Sequence, residues 1–173
     1  VEARQKAAAS ILTDIKQATW IRDGWSAHVI YVFFDPNCPY CHKVYEMLRP
    51  HVQRGDVELR WVVVGKLMAT SIGKAATMLE AKDPTEALHR NERGFSQETG
   101  SFGGIDEEPA PREDTLRRLN ANHALLNRTG FDAVPGSLEA RMVARGYDLL
   151  SDYAGVVGIP VARTGAVLVA WTD

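Results

Sequence analysis

The sequence predicts an α/β domain that carries a helical insertion. Three observations support this reading. An apolar run at residues 28–34, rich in β-branched and aromatic side chains, stops at Asp35-Pro36-Asn37 and gives way to a helix-like stretch headed by Cys38 and Cys41. A second apolar run, 57–64, ends at Gly65. Residues 70–93 then have helical composition, interrupted by Asp83-Pro84.

The elements follow in order. Ala8, Ile11, Leu12, Ile15 and Ala18 recur at helical spacing, so residues 2–20 read as a helix that Asp23-Gly24 breaks. Residues 28–34 are apolar nearly throughout, as in a strand buried on both faces. Proline is tolerated in a first helical turn, so a helix can start at Pro39, with Val44, Met47 and Leu48 on its apolar face. Arg49-Pro50 should kink or end it. Residues 57–64 alternate and then turn fully apolar, as a second strand does. Ala75, Ala76, Met78, Leu79 and Ala81 form one helix and a second follows Asp83-Pro84. Residues 94–114 make a loop of about twenty residues. A structureless loop that long is uncommon, so it is expected to be functional, mobile or partly structured. Leu116, Leu119, Leu125 and Leu126 mark a helix over 113–128, with Gly130 as its stop. In the tail, Leu138, Ala140, Met142 and Ala144 alternate with mostly polar residues, as in a half-exposed strand or a short helix. Residues 147–157 suit a partner strand, and 161–171 a last helix or strand. The expected organisation is a linker helix over 1–24 and a catalytic domain over 25–173, with the insertion at about 68–128.

A chain of 173 residues suits one domain with a moderate core. Its formal net charge of −2 gives no reason to expect nucleic acid or an anionic membrane as partner. No apolar run approaches the ~20 residues that span a bilayer. The start at Val1 rather than methionine reads as a processed or trimmed chain.

The two cysteines lie three positions apart. A structural disulfide framework would use more of them, spread along the chain. A zinc site would need further ligands, and His28, His42, His51, His89 and His123 are scattered without paired spacing. Neither metal nor cofactor is expected. The plain alternative is a pair of cysteines packed as small apolar residues, or half a metal site.

Thiol–disulfide exchange needs one cysteine deprotonated near neutral pH. Free cysteine titrates near ~8.5, and unpaired N–H groups at a helix N-terminus lower that value. Strand, turn and helix put Cys38 at such a terminus. Cys41 lies one turn further in, placed to attack a mixed disulfide at Cys38. Pro39 stiffens the turn. Tyr40 is a candidate for substrate contact, or a surface aromatic. His42 is either a tuner of Cys38 or, more ordinarily, a solvent-facing helix residue. Asp106-Glu107-Glu108 reads as a solvated loop. Trp20, Trp25, Trp61 and Trp171 read as core and interdomain packing.

Several segments together resemble the DsbC/DsbG family of periplasmic disulfide isomerases and reductases in the thioredoxin superfamily. Residues 29–41, including Asp35-Pro36 before the dithiol, resemble the family's strand and active site. Cys38-Pro39-Tyr40-Cys41 follows the DsbG branch rather than the DsbC branch. Residues 57–65 resemble the next strand, 74–84 the inserted helix ending in Lys-Asp-Pro, and 122–135 the helix leading to a cis-proline. The resemblance implies a thioredoxin-like fold with an inserted helical subdomain. It implies Cys38 as nucleophile, Cys41 as resolving thiol, and Pro135 as the cis-proline whose preceding residue, Val134, pairs with substrate backbone. Pro160 is the competing proline. It further implies periplasmic location, protein substrates with cysteines or disulfides, a membrane electron donor of the DsbD type, and a homodimeric full-length protein. The family has threonine where Val134 stands, and valine there matches the DsbA oxidases.

The leading expectation is a thiol–disulfide oxidoreductase acting as reductase or isomerase. A DsbA-like oxidase and a chaperone-like module that holds unfolded chains are the alternatives. Glutaredoxins also use Cys-Pro-Tyr-Cys, but they are typically much shorter and lack a helical insertion.

Overall fold

The computed structural model describes residues 13–96, 98–128 and 169–172, the last four by backbone alone. Four strands form one sheet: β1 (Trp20–Asp23), β2 (Val29–Phe34), β3 (Glu58–Val63) and β4 (Val169–Thr172), in the order β1-β3-β2-β4. β2 and β3 are parallel, in register from Val29 opposite Glu58 to Phe34 opposite Val63. A crossover helix, α1 (Pro39–Arg54), joins them, as parallel neighbours require. β1 and β4 run antiparallel on the flanks. After β3 come α2 (Ser71–Glu80), α3 (Pro84–Arg93) and α4 (Glu113–Arg128).

Both sheet faces are covered, which explains why β2 and β3 read as apolar throughout. On one face Ile30, Val32, Phe34, Leu59, Trp61 and Val63 meet Val44, Leu48 and Val52 of α1, with Met78 and Leu88 from α2 and α3. On the other, Tyr31, Phe33, Val62 and Val64 meet Ile15 and Leu125 and Leu126 of α4. Asp83 caps α3 by accepting from the Glu86 N–H at 3.0 Å, with Pro84 in the first turn. That is the helix break expected at Asp-Pro.

Several details differ from the sequence expectation. The helical reading ran to residue 20, within a linker helix over 1–24. The described part of that segment is helical at 13–15, turns at 16–18, and forms a strand on β3 at Trp20–Asp23. The strand prevails because it buries Ile21 and Asp23 and pairs an otherwise open edge of β3. Pro50 neither ends nor splits α1, which continues to Arg54. Pro50 and Glu46 are exposed, so water can satisfy the carbonyl that lacks a partner. Gly55 closes the helix in the left-handed region, φ +79°, its N–H reaching the carbonyls of His51 and Val52. Trp61 is fully buried, but Trp25 is 75% exposed, with the Arg22 guanidinium 4.3 Å from its ring. The alternating segment 138–145, Gly130, Val134, Pro135 and Pro160 lie outside the described residues.

The long loop after α3 is partly structured. Ser96 and Ser101 exchange backbone hydrogen bonds of 3.0 and 2.9 Å. Ile105 is buried, and Glu108 N–H donates to Gly73 O at 3.0 Å, pinning the loop along α2. Gly94 and Gly104 cross so closely that a Cβ on Gly94 would lie 2.2 Å from the Gly104 Cα.

One side chain fastens the N-terminal segment to the sheet. Buried Asn122 of α4 accepts from Thr19 N–H at 3.0 Å and donates to Thr19 O and Val63 O, each at 2.7 Å. Asn122→Ala leaves these backbone groups unpaired. We expect about 1–3 kcal/mol of lost stability in urea denaturation, and an unchanged midpoint would show that this fastening contributes nothing.

Candidate active site

The turn between β2 and α1 holds the two cysteines because the local chemistry leaves little choice. Pro36 and Pro39 bracket it. Cys38 is extended, φ −84° and ψ 113°, and stands at the N-cap of α1 with Pro39 in the first turn. Its sulfur accepts a hydrogen bond from the Cys41 N–H at 3.3 Å, taking the place of the usual oxygen cap. Cys38 N–H donates to Asp35 O at 3.0 Å, and His42 N–H to Cys38 O at 3.1 Å. Both thiols are free. Cys38 is half-buried, and Cys41 is buried with its S–H directed to Phe33 O at 3.8 Å.

The surroundings shift the two thiols in opposite directions from their ordinary value. Hydrogen bonds from Cys41, side chain first and backbone next, lower Cys38 against the opposition of burial and the Asp35 charge. Cys41 is raised well above its ordinary value by its bond to Cys38, by burial and by the Cys38 charge. The pair therefore favours deprotonation at Cys38 over deprotonation at Cys41.

The frame under the dithiol is a polar network that the sequence reading did not single out. Asp35 is buried and its carboxylate accepts from the Asn37 N–H (2.9 Å), the Ser71 hydroxyl (2.8 Å), and the N–H groups of Lys66 (2.8 Å) and Leu67 (2.9 Å). Asn37 donates to Thr70 Oγ1 at 3.0 Å and Ser71 Oγ at 2.9 Å, and accepts from Lys74 Nζ at 3.1 Å. The Asp-Pro-Asn sequence signalled a turn; its partners 31 to 37 positions away could not be read locally.

His42 is not a solvent-facing residue. It stacks on Phe95 at 4.6 Å between ring centres and donates from Nδ1 to the buried Glu92 carboxylate at 2.9 Å. That bond is the main reason its pKa is raised. Asn91 donates to Glu92 Oε1 at 3.0 Å and to Pro36 O at 2.9 Å, joining this cluster to the turn. Tyr40 is half-buried with the Lys43 ammonium 5.7 Å from its ring. Thus Cys38, Pro39, Tyr40 and Cys41 sit together at the head of α1, whereas Val134 and Pro135 are not among the described residues. Among the described residues no group of acidic, histidine and cysteine side chains has metal-binding geometry, and no helix is long and apolar enough to cross a membrane.

A helix-capping dithiol at the end of a central parallel strand defines the class by its fold: a thioredoxin-like domain. The solved structures agree on the fold. The catalytic domain of Proteus mirabilis ScsC matches with a TM-score of 0.57 and 21% identity, over 75% of this chain and 82% of that one. Helicobacter pylori DsbG matches with 0.55 and 20%, over 77% and 61%. In sequence the chain is DsbG-like. It is 42% identical over 123 residues to the thiol:disulfide interchange protein DsbG of Pseudomonas aeruginosa, and 38% identical over 123 residues to that of Escherichia coli. Each match covers 70% of this chain, and 46% and 48% of the relatives, so the chain spans about half the length of the curated relatives it matches. No family model matches.

Two measurements check this geometry. Iodoacetamide should label Cys38 first below pH 9, its thiolate being favoured, while Cys41 resists until the chain unfolds; early labelling of Cys41 would reverse the assignment. The His42–Glu92 pair should also show in the pH dependence of stability. Folding raises the His42 pKa above its ordinary 6.5, so the pair contributes fully below that pH and its contribution is lost as pH rises through the raised value. The gap in urea midpoint between the unsubstituted chain and His42→Gln should therefore narrow with rising pH above 6.5. A gap independent of pH would show that the pair is not ionic.

Proposed function

We propose that this chain is the exchange domain of a periplasmic protein disulfide reductase or isomerase, with Cys38 as nucleophile and Cys41 as resolving thiol. The observation that carries the reading is the geometry of the two sulfurs at the head of α1: half-buried Cys38 caps the helix and accepts from the Cys41 N–H, and Cys41 is buried one turn further in. Similarity to thiol:disulfide interchange proteins supports protein cysteines as the target and the periplasm as the compartment.

The chemistry follows from the geometry. The Cys38 thiolate attacks one sulfur of a substrate disulfide, forms the mixed disulfide and expels the other sulfur as a thiolate. Cys38 then carries no charge, which removes both the hydrogen bond and the repulsion that held the Cys41 proton. Cys41 loses that proton to the medium, attacks Cys38 Sγ and releases the second substrate thiolate. The substrate disulfide is reduced to two thiols, and the domain is left with a Cys38–Cys41 disulfide. In isomerisation the first expelled thiolate instead attacks another disulfide of the substrate, and exchange back to Cys38 leaves no net redox change. Net reduction needs a two-electron donor to restore the dithiol; a membrane protein of the DsbD type fills that place in this proposal. Val134 and Pro135 flank the substrate backbone in the same proposal, and the full-length protein is a dimer.

Cys41→Ser should accumulate covalent adducts between Cys38 and periplasmic proteins, visible on non-reducing gels and dissolved by reductant, because the escape thiol is gone. Cys38→Ser should form none. A redox potential near ~−120 mV, that of a strong oxidant, would instead make the domain an oxidase. Absence of adducts would remove Cys38 as the attacking group.

A further inference from the structure

Asn37, the residue before Cys38, is clasped by the first turn of α2. Its side-chain amide donates to Thr70 Oγ1 at 3.0 Å and Ser71 Oγ at 2.9 Å, and its oxygen accepts from Lys74 Nζ at 3.1 Å. Thr70, Ser71 and Lys74 share one face at the start of that helix, as residues three and four apart do. The Lys74 ammonium also donates to the Phe102 carbonyl, which ties the loop after α3 to the same turn. Both acceptors are neutral oxygens. Among the described residues no carboxylate forms an ion pair with Lys74, and it alone of the cationic side chains bonds to residues 35–38.

A tether alone would need no charge. A neutral donor could reach the same two oxygens without the cost of drawing an ammonium partly out of water. A charge without a counter-ion acts on its surroundings, and the residue after Asn37 is the nucleophile. The other charged groups near the turn are engaged or face elsewhere. Asp35 accepts four hydrogen bonds, and His42 and Glu92 pair with each other. The Lys43 ammonium lies 5.7 Å from the Tyr40 ring, Glu107 packs against Gly73, and Lys66 is exposed.

We propose that Lys74 is a positioning residue for the exchange reaction: through Asn37 it holds the turn that carries Cys38, and it places one positive charge against that turn in opposition to Asp35. The inference rests on the exchange reading and deepens it. A cation held there favours the Cys38 thiolate, whereas the Asp35 charge disfavours it. The reduced form gains what the thiolate gains, so Lys74 moves the dithiol toward the oxidising side and Asp35 toward the reducing side. The poise of the domain is then set by two opposed charges, one fixed from β2 and one from α2.

The experiment follows the pH profile of iodoacetamide alkylation at Cys38 in the reduced, full 173-residue chain. Lys74→Met removes charge and donor and keeps the apolar stem. On the acidic limb of the profile it should slow alkylation about fivefold, between what water and a protein interior allow for the loss of one nearby charge. Lys74→Gln, which keeps a donor without the charge, should slow it as much, and Lys74→Arg should restore the rate. Raising the ionic strength should shrink the difference. Above the midpoint, the equilibrium in which the dithiol gives two electrons to oxidised glutathione, yielding the Cys38–Cys41 disulfide and two glutathione thiols, should shift toward that disulfide by the same factor. Lys82→Met, an equal loss of charge at an exposed position beyond the far end of α2, should change neither readout. An unmoved profile in Lys74→Met, a normal one in Lys74→Gln, or a shift that salt does not reduce overturns the role of the charge. No reaction of the unsubstituted chain with oxidised glutathione would overturn the exchange reading itself, and the role of Lys74 with it.

Discussion

A single buried carboxylate organises the working end of this domain. Asp35 sits at the C-terminal end of β2 and fills all its hydrogen-bonding directions with groups from the turns after two neighbouring parallel strands. A buried charge is tolerated only when it is satisfied in this way, so its presence fixes the donors as firmly as the donors fix it. The start of α1, where Cys38 caps the helix, is thereby locked to the start of α2. The same charge opposes the thiolate that the helix start favours. The frame that positions Cys38 thus also restrains its acidity, and hydrogen bonds from Cys41 decide the balance.

What could be read in the sequence was local. The strand–turn–helix around Cys38, the break at Asp83-Pro84 and the helix over 113–128 depend on periodicity, proline placement and capping, all visible within a few residues. What could not be read depended on distant partners. The strand at Trp20–Asp23 carries a mixed pattern and exists because β3 offers an edge and Asn122, 103 positions on, fastens Thr19. His42 is half-buried because Phe95 stacks on it and Glu92 waits beneath it. No spacing rule announces either. Trp25 shows the limit from the other side: composition favours burial for tryptophan, yet its place in the β1–β2 turn leaves it 75% exposed beside the Arg22 guanidinium.

The helical insertion has a structural purpose that its position explains. A parallel β2–β3 pair with α1 crossing between them leaves the open ends of both strands at the dithiol. The chain must continue from β3, and α2 to α4 occupy that continuation. α3 supplies Asn91, Glu92 and Phe95's neighbourhood to the head of α1, and the following loop supplies Phe102. These helices and the loop therefore wall one side of the turn that holds Cys38.

Asymmetry between the sulfurs follows from this arrangement. Cys38 terminates a helix and is reached from outside, whereas Cys41, one turn in, faces the β2 carbonyl of Phe33 under the wall. An incoming disulfide meets Cys38 first. In the proposed mechanism, neutralising Cys38 as a mixed disulfide removes two of the causes that raise Cys41, its bond to the Cys38 sulfur and the Cys38 charge, while burial and the Asp35 charge remain. In the proposed mechanism burial sets the order of attack, and the bond and charge of Cys38 set the timing of resolution.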